Sequence, residues 1–471
     1  MYEYRHIDEL TQGGLVPLDQ LTRIDAVTRA LESRGLHGEA SALAAAHLKR
    51  SAAHLLESGH ASVPAFAGFV PGRIEVLGKH TDYAGGGSLI CALQRGISVV
   101  AIPREDNRVT VTDVATEESC ESTIAPTEEN RPGHWSDYAV VVCRRLSRDF
   151  PDVQTGVDIA FSSNLPRASG MSSSSALTIA IALSVIRAND LGNVDRFSSL
   201  FDRTEDLAQY LGAVENGLPY LTLRGDTGVG TFGGNEDHTA ILCSQTGLMK
   251  WYSYSPVRFH EAVAIPEHHV FALGFCGRHA AKTGAVLDRY NYLSDSTAAV
   301  AAAWRLAMDR DEAHLGAISA IPGYSRTEVA LAIRECPSDR YTVRQLTDRL
   351  DHFHHENNLI LPAAVDALEE HHLDRFTELV DRSQQLAESL LQNQTDETIL
   401  LVRSARGQGA VAASAFGAGF GGSVWALIHE DQAGEFVKTW AASYRDAKPD
   451  TGARSIFFLS SPGPAAFWLS A

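Results

Sequence analysis

The sequence lacks three features that would each define a broad class of protein. Its six cysteines are scattered and none forms a CxxC pair, so neither a zinc site nor a disulfide framework is indicated. The longest apolar run, Ala176 to Ile186, falls well short of the ~20 residues that a membrane-spanning helix needs. Positive charge is scarce: the formal net charge of −18 argues against a nucleic-acid-binding protein.

The composition is that of an ordinary soluble protein. The 471 residues are 44% hydrophobic and 21% charged, which predicts two or three domains with ample core. The beginning of the chain, MYEYRHIDEL, is charged and lacks the apolar stretch of a secretory signal. We therefore expect a cytoplasmic protein with neither a membrane nor a nucleic acid as partner. Apolar residues recur at helical spacing over Leu21–Leu36 and Ala40–Leu56, which predicts two helices without chemistry of their own.

Residues 157–186 are the most informative stretch. An alternating strand, Val157–Phe161, leads into a small-residue loop, four serines at Ser172–Ser175 and an apolar helix over Ala176–Ile186. The N-terminus of a helix binds anions because its first N–H groups lack partners and its dipole is positive there. No lysine follows the glycine, so this is not a GxxxxGK[ST] loop. The stretch predicts a phosphate site, with a serine-rich cap on a buried helix as the alternative.

A second stretch, PGRIEVLGKHTDYAGG, begins at Pro71. Arg73–Leu77 reads as a strand, and Lys79, His80, Asp82 and Tyr83 crowd into the loop that follows. Donors and acceptors converging from one short loop suit a polyhydroxylated ligand, although a solvated turn would also accommodate them.

Three further stretches complete the set of candidates. GTFGGNEDH contains the acidic pair Glu236–Asp237, which reads as a metal or base site or as a simple turn. AFGAGFGGSVWAL, from Ala415, requires close backbone approach or positive φ. The histidines of Asp351–Asn358 do not share one helix face, so a polar helix end is favoured there over a metal site.

Taken together, these stretches resemble the GHMP kinase superfamily and, more closely, its galactokinases. PGRIEVLGKHTDYAGG is similar to the galactokinase signature, LPRASGMSSSSAL to the phosphate loop, and AFGAGFGGSVWAL to the third motif. The resemblance covers roughly residues 63–429. It implies an α+β fold of two lobes, the first like ribosomal protein S5 domain 2 and the second ferredoxin-like, with the active site in the cleft. The expected organisation is an N-terminal helical extension over residues 1–60, a first lobe over 61–255 and a second over 256–471.

The implied activity is ATP-dependent phosphorylation of a monosaccharide, most readily galactose, at its anomeric C1 hydroxyl. ATP and Mg²⁺ would be the cofactors, the sugar the other partner, and the protein a monomer or a weak homo-oligomer. The implied catalytic pair is Asp237, as general base, and Arg73. The implied substrate-binding residues are Lys79, His80, Asp82, Tyr83, Gly234 and Tyr290. The implied nucleotide-binding residues are Trp135, Ser169, Gly170, Met171, Ser172, Ser173, Ser174 and Gly419, with Ser174 and Glu215 as the ligands of Mg²⁺.

Lys79 departs from the family pattern, since galactokinases usually carry glutamate there. A lysine could pair with a sugar carboxylate, so a uronic-acid 1-kinase is a second candidate. Lys79 could also pair with a nearby acid such as Glu75 or Asp82 and never touch the sugar. A sugar- and ATP-binding regulator without catalysis is a third candidate, which the presence of Asp237 and Arg73 opposes.

Overall fold

The computed structural model describes residues 7–60, 63–127, 129, 133–279 and 284–470. Two sheets flanked by helices form two lobes, which confirms the predicted α+β class. The strands are β1 (Val16–Pro17), β2 (Pro64–Leu77), β3 (Gly87–Pro103), β4 (Arg108–Asp113), β5 (Glu118–Thr123), β6 (Val157–Ser163), β7 (Leu248–Ser253), β8 (Arg258–Ala264), β9 (His269–Phe275), β10 (Ala412–Ala415), β11 (Ser423–His429), β12 (Ile456–Ser460) and β13 (Phe467–Trp468).

The helices alternate with these strands and fill most of the second half of the described chain. They are α1 (Asp8–Thr11), α2 (Ile24–Glu32), α3 (Glu39–Glu57), α4 (Asp137–Asp149), α5 (Ser173–Ala188), α6 (Asp195–Ser198), α7 (Thr204–Asn216), α8 (Glu236–Cys243), α9 (Gly284–Met308), α10 (Leu315–Ser319), α11 (Arg326–Glu335), α12 (Val343–Phe353), α13 (Leu361–Glu369), α14 (Leu373–Leu386), α15 (Asp396–Gly407), α16 (Glu430–Ala447) and α17 (Pro449–Gly452).

The larger sheet is mixed and has the order β1-β2-β3-β6-β4-β5. β7 extends it from β3, and β13, near the end of the chain, pairs with β2. One face carries α4, α5, α7 and α8, and α5 is buried along almost its whole length because nearly all its residues are small or apolar. α2 and α3 cover another hydrophobic cluster with β2, β3 and β6, so the two predicted N-terminal helices exist and shield the sheet.

The smaller sheet is antiparallel, with the order β10-β11-β9-β12. From β9 the chain passes through the helices α9 to α15 to reach β10. It then continues directly into β11 and through α16 to β12. This β-α-β-β-α-β path with the last strand beside the first is the ferredoxin-like arrangement. The turn between β10 and β11 carries the third glycine-rich stretch.

The prediction of a polar helix end at Asp351–Asn358 is wrong. α12 continues through a π-helical segment, His354–Ile360, directly into α13. Glu356 in this segment is fully buried, and its Oε1 accepts hydrogen bonds from the backbone N of Gly78 at 2.9 Å and from Ser383 Oγ at 2.9 Å. Sequence spacing missed this because the buried partners lie far away along the chain.

None of the helices in the described part of the chain combines the length and the hydropathy needed to cross a bilayer. The predicted division into an N-terminal extension and two lobes bounded near residues 60 and 255 stays a prediction, and its boundary at residue 61 lies outside the described residues. The cytoplasmic location likewise stays a prediction.

Candidate active site

A cavity of about 360 Å³ lies where loops of the two sheets meet. On one side its walls come from β2, the β6–α5 loop and the start of α8. On the other side stand Tyr290 of α9 and Gly417 and Ala418 of the β10–β11 turn. The three glycine-bearing stretches singled out in the sequence therefore converge on one cavity. Its size is that of a small-molecule site.

The β6–α5 loop presents the N-terminus of a long helix to this cavity. Gly170 and Ser172 both have left-handed backbone, with φ of 77° and 60°, and α5 begins directly afterwards at Ser173. Gly170, Ser172, Ser173 and Ser174 all line the cavity. The unpartnered N–H groups and the dipole of the first helical turn favour an anion there, and the small side chains leave room for it.

Arg73 joins this loop to the start of α8. Its Nε donates to Asp237 Oδ1 at 2.8 Å and its Nη1 donates to the carbonyl of Gly170 at 2.6 Å. Burial alone would lower the pKa of this guanidinium, but the charges of Asp237, Glu236 and Glu75 outweigh burial and raise it. The Asp237 side chain keeps 18% of its surface exposed and lines the cavity. A carboxylate oriented by an arginine beside an anion-binding helix end can accept a proton from a hydroxyl that attacks a phosphate.

His80 is held on several sides at the cavity wall. Its Nδ1 lies 2.7 Å from Tyr83 Oη, its Nε2 lies 3.3 Å from the carbonyl of Ala418, and its ring centroid is 5.3 Å from that of Tyr290. The residue has a φ of 56°, a conformation that persists only where the surroundings impose it. The ring is therefore fixed in one orientation, as selective binding of hydroxyl groups requires.

Asp82 and Gly234 form a close contact at the same wall. A Cβ placed on Gly234 would lie 2.3 Å from Asp82 Oδ2, so only glycine fits beside this carboxylate. Both residues line the cavity. The loop after β2 and the loop before α8, which are far apart in the sequence, therefore meet where the Asp82 carboxylate contacts the Gly234 backbone.

Lys79 does not line the cavity, contrary to its assignment as a substrate-binding residue. Its side chain is fully buried, and its Nζ donates to Ser383 Oγ at 2.8 Å. Ser383 in turn donates to Glu356. The suggested alternative partners, Glu75 and Asp82, are not its hydrogen-bond acceptors among the bonds seen in the described residues; the acceptor comes from α14. Lys79 therefore ties the first lobe to the helical region behind the site.

Glu215 and Ser174, the predicted metal ligands, both line the cavity. Glu215 Oε2 lies 2.9 Å from His238 Nε2, and its Oε1 accepts from Ser175 Oγ at 3.3 Å. Ser174 hydrogen-bonds to Tyr138. A carboxylate and a hydroxyl are ligand types that Mg²⁺ accepts, so the donor set fits that ion.

The remaining predicted residues divide by position. Four of them lie behind or beside the cavity lining. Tyr83 lies behind His80, to which its hydroxyl is hydrogen-bonded, and the carbonyl of Ser169 accepts from Ser423 Oγ. Met171 is buried in the core, and a Cβ on Gly419 would clash with the carbonyl of Asn393. Those that line the cavity are Arg73, His80, Asp82, Trp135, Gly170, Ser172, Ser173, Ser174, Glu215, Gly234, Asp237 and Tyr290.

Sequence reasoning missed several residues of the lining. Glu75 and Tyr138 face the cavity, as do Asp113, Glu118 and Arg167 at its edge. Glu236 and Ser175, which the sequence placed in the acidic pair and in the serine run without a role of their own, also line it. Glu75 could have been found, because alternate residues of a strand point to the same side and Arg73 lies two positions before it. The edge residues carried no comparable signal.

Three family signatures match this chain. Residues 56–103 match the galactokinase galactose-binding signature, residues 137–218 the GHMP kinases N terminal domain, and residues 364–446 the GHMP kinases C terminal domain. The first two signatures include the loop after β2 and the β6–α5 loop. The third runs from within α13 through β10 and β11 into α16.

Two bacterial galactokinases and one solved galactokinase structure are similar to the chain. A galactokinase of Haemophilus influenzae (strain PittGG) is 29% identical over 142 residues, which are 30% of this chain and only 37% of that protein. A galactokinase of Mannheimia succiniciproducens is 26% identical over 396 residues, 83% of this chain and 91% of that one. The crystal structure of Lactococcus lactis galactokinase complexed with galactose superposes with a TM-score of 0.71 at 23% identity, covering 88% of this chain and 98% of that one. The last comparison establishes a shared two-lobed fold.

Proposed function

We propose that this chain, a galactokinase-like member of the GHMP kinases, transfers the terminal phosphoryl group of ATP to the anomeric C1 hydroxyl of a monosaccharide, with galactose as the expected substrate. The observation that carries the proposal is the Arg73–Asp237 pair, which lies between the anion-binding end of α5 and the polar wall of His80 and Asp82. Such a placement puts a proton acceptor between a phosphate site and a hydroxyl-binding site.

The chain's own residues have distinct tasks in this scheme. Gly170 and the serines at the start of α5 hold the phosphates of ATP through backbone N–H groups and hydroxyls. His80 and Asp82 bind sugar hydroxyls and orient the C1 hydroxyl. Asp237 accepts the proton of that hydroxyl, and Arg73 keeps the carboxylate in place while its charge offsets the negative charge of the phosphoryl group.

Ser174 and Glu215 are the residues that would hold Mg²⁺. This ion commonly takes only one or two protein ligands and otherwise binds phosphate oxygens and water. Among the described residues, no group of three His, Cys, Asp or Glu side chains is arranged to bind a metal by itself, so its other ligands would come from the nucleotide. When bound, the ion neutralises charge on the phosphates.

The structure removes the observation that favoured a uronic acid. That alternative depended on a lysine at the sugar, and the Nζ of Lys79 is instead bonded to Ser383 outside the cavity lining. A regulator without catalysis has no comparable need for a carboxylate held against Arg73 at the cavity wall, as Asp237 is. Neither alternative is therefore preferred to a neutral-sugar kinase.

An ADP-release screen tests the proposal directly. Galactose, galacturonate, glucuronate, arabinose, fucose and N-acetylgalactosamine are supplied in turn with MgATP, and the product is identified by phosphorus NMR. We expect galactose-dependent ADP release with formation of the 1-phosphate. Sugar-independent ATP hydrolysis alone, or a product phosphorylated elsewhere, would contradict the proposal.

Gly170→Val should weaken ATP binding. Valine in left-handed backbone costs about 1–2 kcal/mol. A Cβ here meets no heavy atom nearer than Phe416 Cβ at 4.0 Å, so the methyl groups would occupy space that the proposed phosphate site leaves open. We expect roughly tenfold weaker ATP binding, measured by calorimetry, with little change in galactose binding. Gly170→Ala is the matched control, since it keeps the strain but omits the branches. Equal losses for both ligands would argue for a purely structural loop.

Glu215→Gln should raise the Mg²⁺ concentration needed for half-maximal turnover. The substitution keeps the shape but replaces a carboxylate with a neutral amide, a weaker oxygen ligand for a hard cation. Turnover is titrated with Mg²⁺ at fixed ATP in the variant and the wild type. An unchanged Mg²⁺ requirement would mean that the ion is held elsewhere.

A further inference from the structure

Two buried glutamates adjoin the catalytic pair and have no task in the scheme above. Glu75 on β2 and Glu236 at the start of α8 both line the cavity and are both about 96% buried, with 4% of each residue exposed. Glu236 Oε1 lies 3.4 Å from Arg73 Nε, the nitrogen that also donates to Asp237. Arg73 therefore faces two carboxyl groups of α8 at once.

The two glutamates are bonded to each other. Their side chains lie within hydrogen-bond distance, while Oε1 of each has no hydrogen-bond partner among the residues that the structure describes. An ionised carboxylate only accepts hydrogen bonds, so a bond between two carboxyl groups exists only when one of them carries a proton. Two ionised carboxylates buried at this separation would otherwise repel each other.

The charges around the pair point the same way. The groups that face it are the cations Arg73 and Lys79, the carboxylates Asp82 and Asp237, and the phenols Tyr254 and Tyr290. The two cations are matched by the two carboxylates in this set, and Arg73 is already bonded to Asp237, so no unmatched positive charge offsets two ionised glutamates. Burial, and then the charge of Glu75, raise the pKa of Glu236 well above its ordinary value; burial also raises the pKa of Glu75, against the opposing charge of Arg73.

We propose that Glu75 and Glu236 share one proton in the working protein and act as a positioning pair, which leaves the charge of Arg73 to Asp237 and the transferred phosphoryl group. With the proton in place, Glu236 competes weakly for Arg73 Nε. When the proton is lost, a full second carboxylate 3.4 Å away draws the guanidinium from Asp237. The catalytic consequence, an activity that falls on the alkaline side, rests on the proposed kinase function. The shared proton itself does not.

The proton also has a consequence for stability. In the unfolded chain both glutamates ionise with a pKa of about 4.3, so at neutral pH unfolding releases the proton that the folded pair holds. Stability from this source is present below the unfolded pKa and is lost as pH rises through the raised folded pKa. One bound proton changes the unfolding equilibrium constant about tenfold per pH unit over that window.

Infrared spectroscopy and unfolding test the proton without using activity. In the wild type at pH 7.5 we expect the carbonyl band of a protonated carboxylic acid, and its loss in Glu75→Gln and in Glu236→Gln. The unfolding constant of the wild type should rise between pH 5 and 8 more steeply than that of either variant, by about tenfold per pH unit. Glu118→Gln, which removes a carboxylate from the exposed edge of the cavity, is the matched control and should keep the band and the slope. Two variants are used because one of them could fold poorly.

The kinetic arm uses the ratio of kcat/KM for galactose at pH 9 to that at pH 7. We expect this ratio to be well below one in the wild type and close to one in Glu236→Gln, which has no shared proton to lose. Absence of the infrared difference together with parallel unfolding slopes would overturn the shared proton. A wild type inactive on every sugar at every pH would refute the proposed function instead. The infrared and unfolding measurements would still show whether the two glutamates share a proton.

Discussion

Asp237→Asn is expected to reduce turnover by about 10²–10⁴-fold, the usual contribution of a general base. The amide keeps the shape of the side chain but cannot accept the proton of the sugar hydroxyl. Arg73 Nε, now 2.8 Å from Asp237 Oδ1, can still donate to the amide oxygen, so the wall of the cavity should survive. Galactose and ATP should therefore bind with nearly the affinity that they have for the wild type.

Rates and binding must be measured separately to tell a loss of the chemical step in Asp237→Asn from a loss of affinity. Single-turnover kinetics give the chemical step, and calorimetric titration gives the two affinities. Asp82→Asn is an informative comparison, because Asp82 lines the cavity at the sugar wall and its loss should raise KM for the sugar more than it lowers kcat. Near-normal turnover in Asp237→Asn would remove Asp237 from the mechanism.

The parts of the fold and site that could be predicted are those with a local cause. The strand, loop and helix over residues 157–188 follow from an alternating run, small residues and an apolar helix, and the structure has them as β6, the loop and α5. Gly170 is a glycine because its backbone is left-handed, with a φ of 77°. Such requirements are visible in one short stretch.

What could not be predicted depends on partners far along the chain. Lys79 looks like a ligand contact in its own loop, yet its partner Ser383 lies 304 residues later. Glu356 looks like part of a polar helix end, yet it accepts the backbone N–H of Gly78 across the lobes. Neither spacing nor hydropathy encodes which of two distant segments will meet, so these residues were assigned to the wrong surroundings.

Ser169 and Met171 illustrate a finer limit. They belong to the same loop as Gly170 and Ser172, and the motif suggests that all of them face the nucleotide. The left-handed residues reverse the direction of the chain at each step, so the side chain of Met171 enters the core and its carbonyl accepts from the backbone N of Arg73 at 3.3 Å. A motif identifies a loop more reliably than it identifies which side chains point inward.

Lys79→Glu, which a sugar contact would make a specificity switch, should instead destabilise the protein. The substitution removes a buried cation and places a carboxylate beside Ser383, whose hydroxyl is bonded to Glu356, and near Glu75. Leaving a buried charge without its counter-charge typically costs about 3–5 kcal/mol. Chemical denaturation should show a loss of that size in the free energy of unfolding, or the variant should fail to accumulate in folded form.

Lys79→Met separates charge from volume and keeps the prediction testable. Methionine nearly matches the length of lysine, and Glu356 keeps its hydrogen bonds from the Gly78 backbone and Ser383, so the loss of stability should be distinctly smaller than for glutamate. The ratio of kcat/KM for galactose to that for galacturonate should be the same in Lys79→Met and the wild type, because the Nζ does not line the cavity. If Lys79→Glu is as stable as the wild type and shifts the preference between the two sugars, Lys79 contacts the sugar after all. If Lys79→Met folds and the ratio is unchanged, Lys79 is a buried link between the lobes.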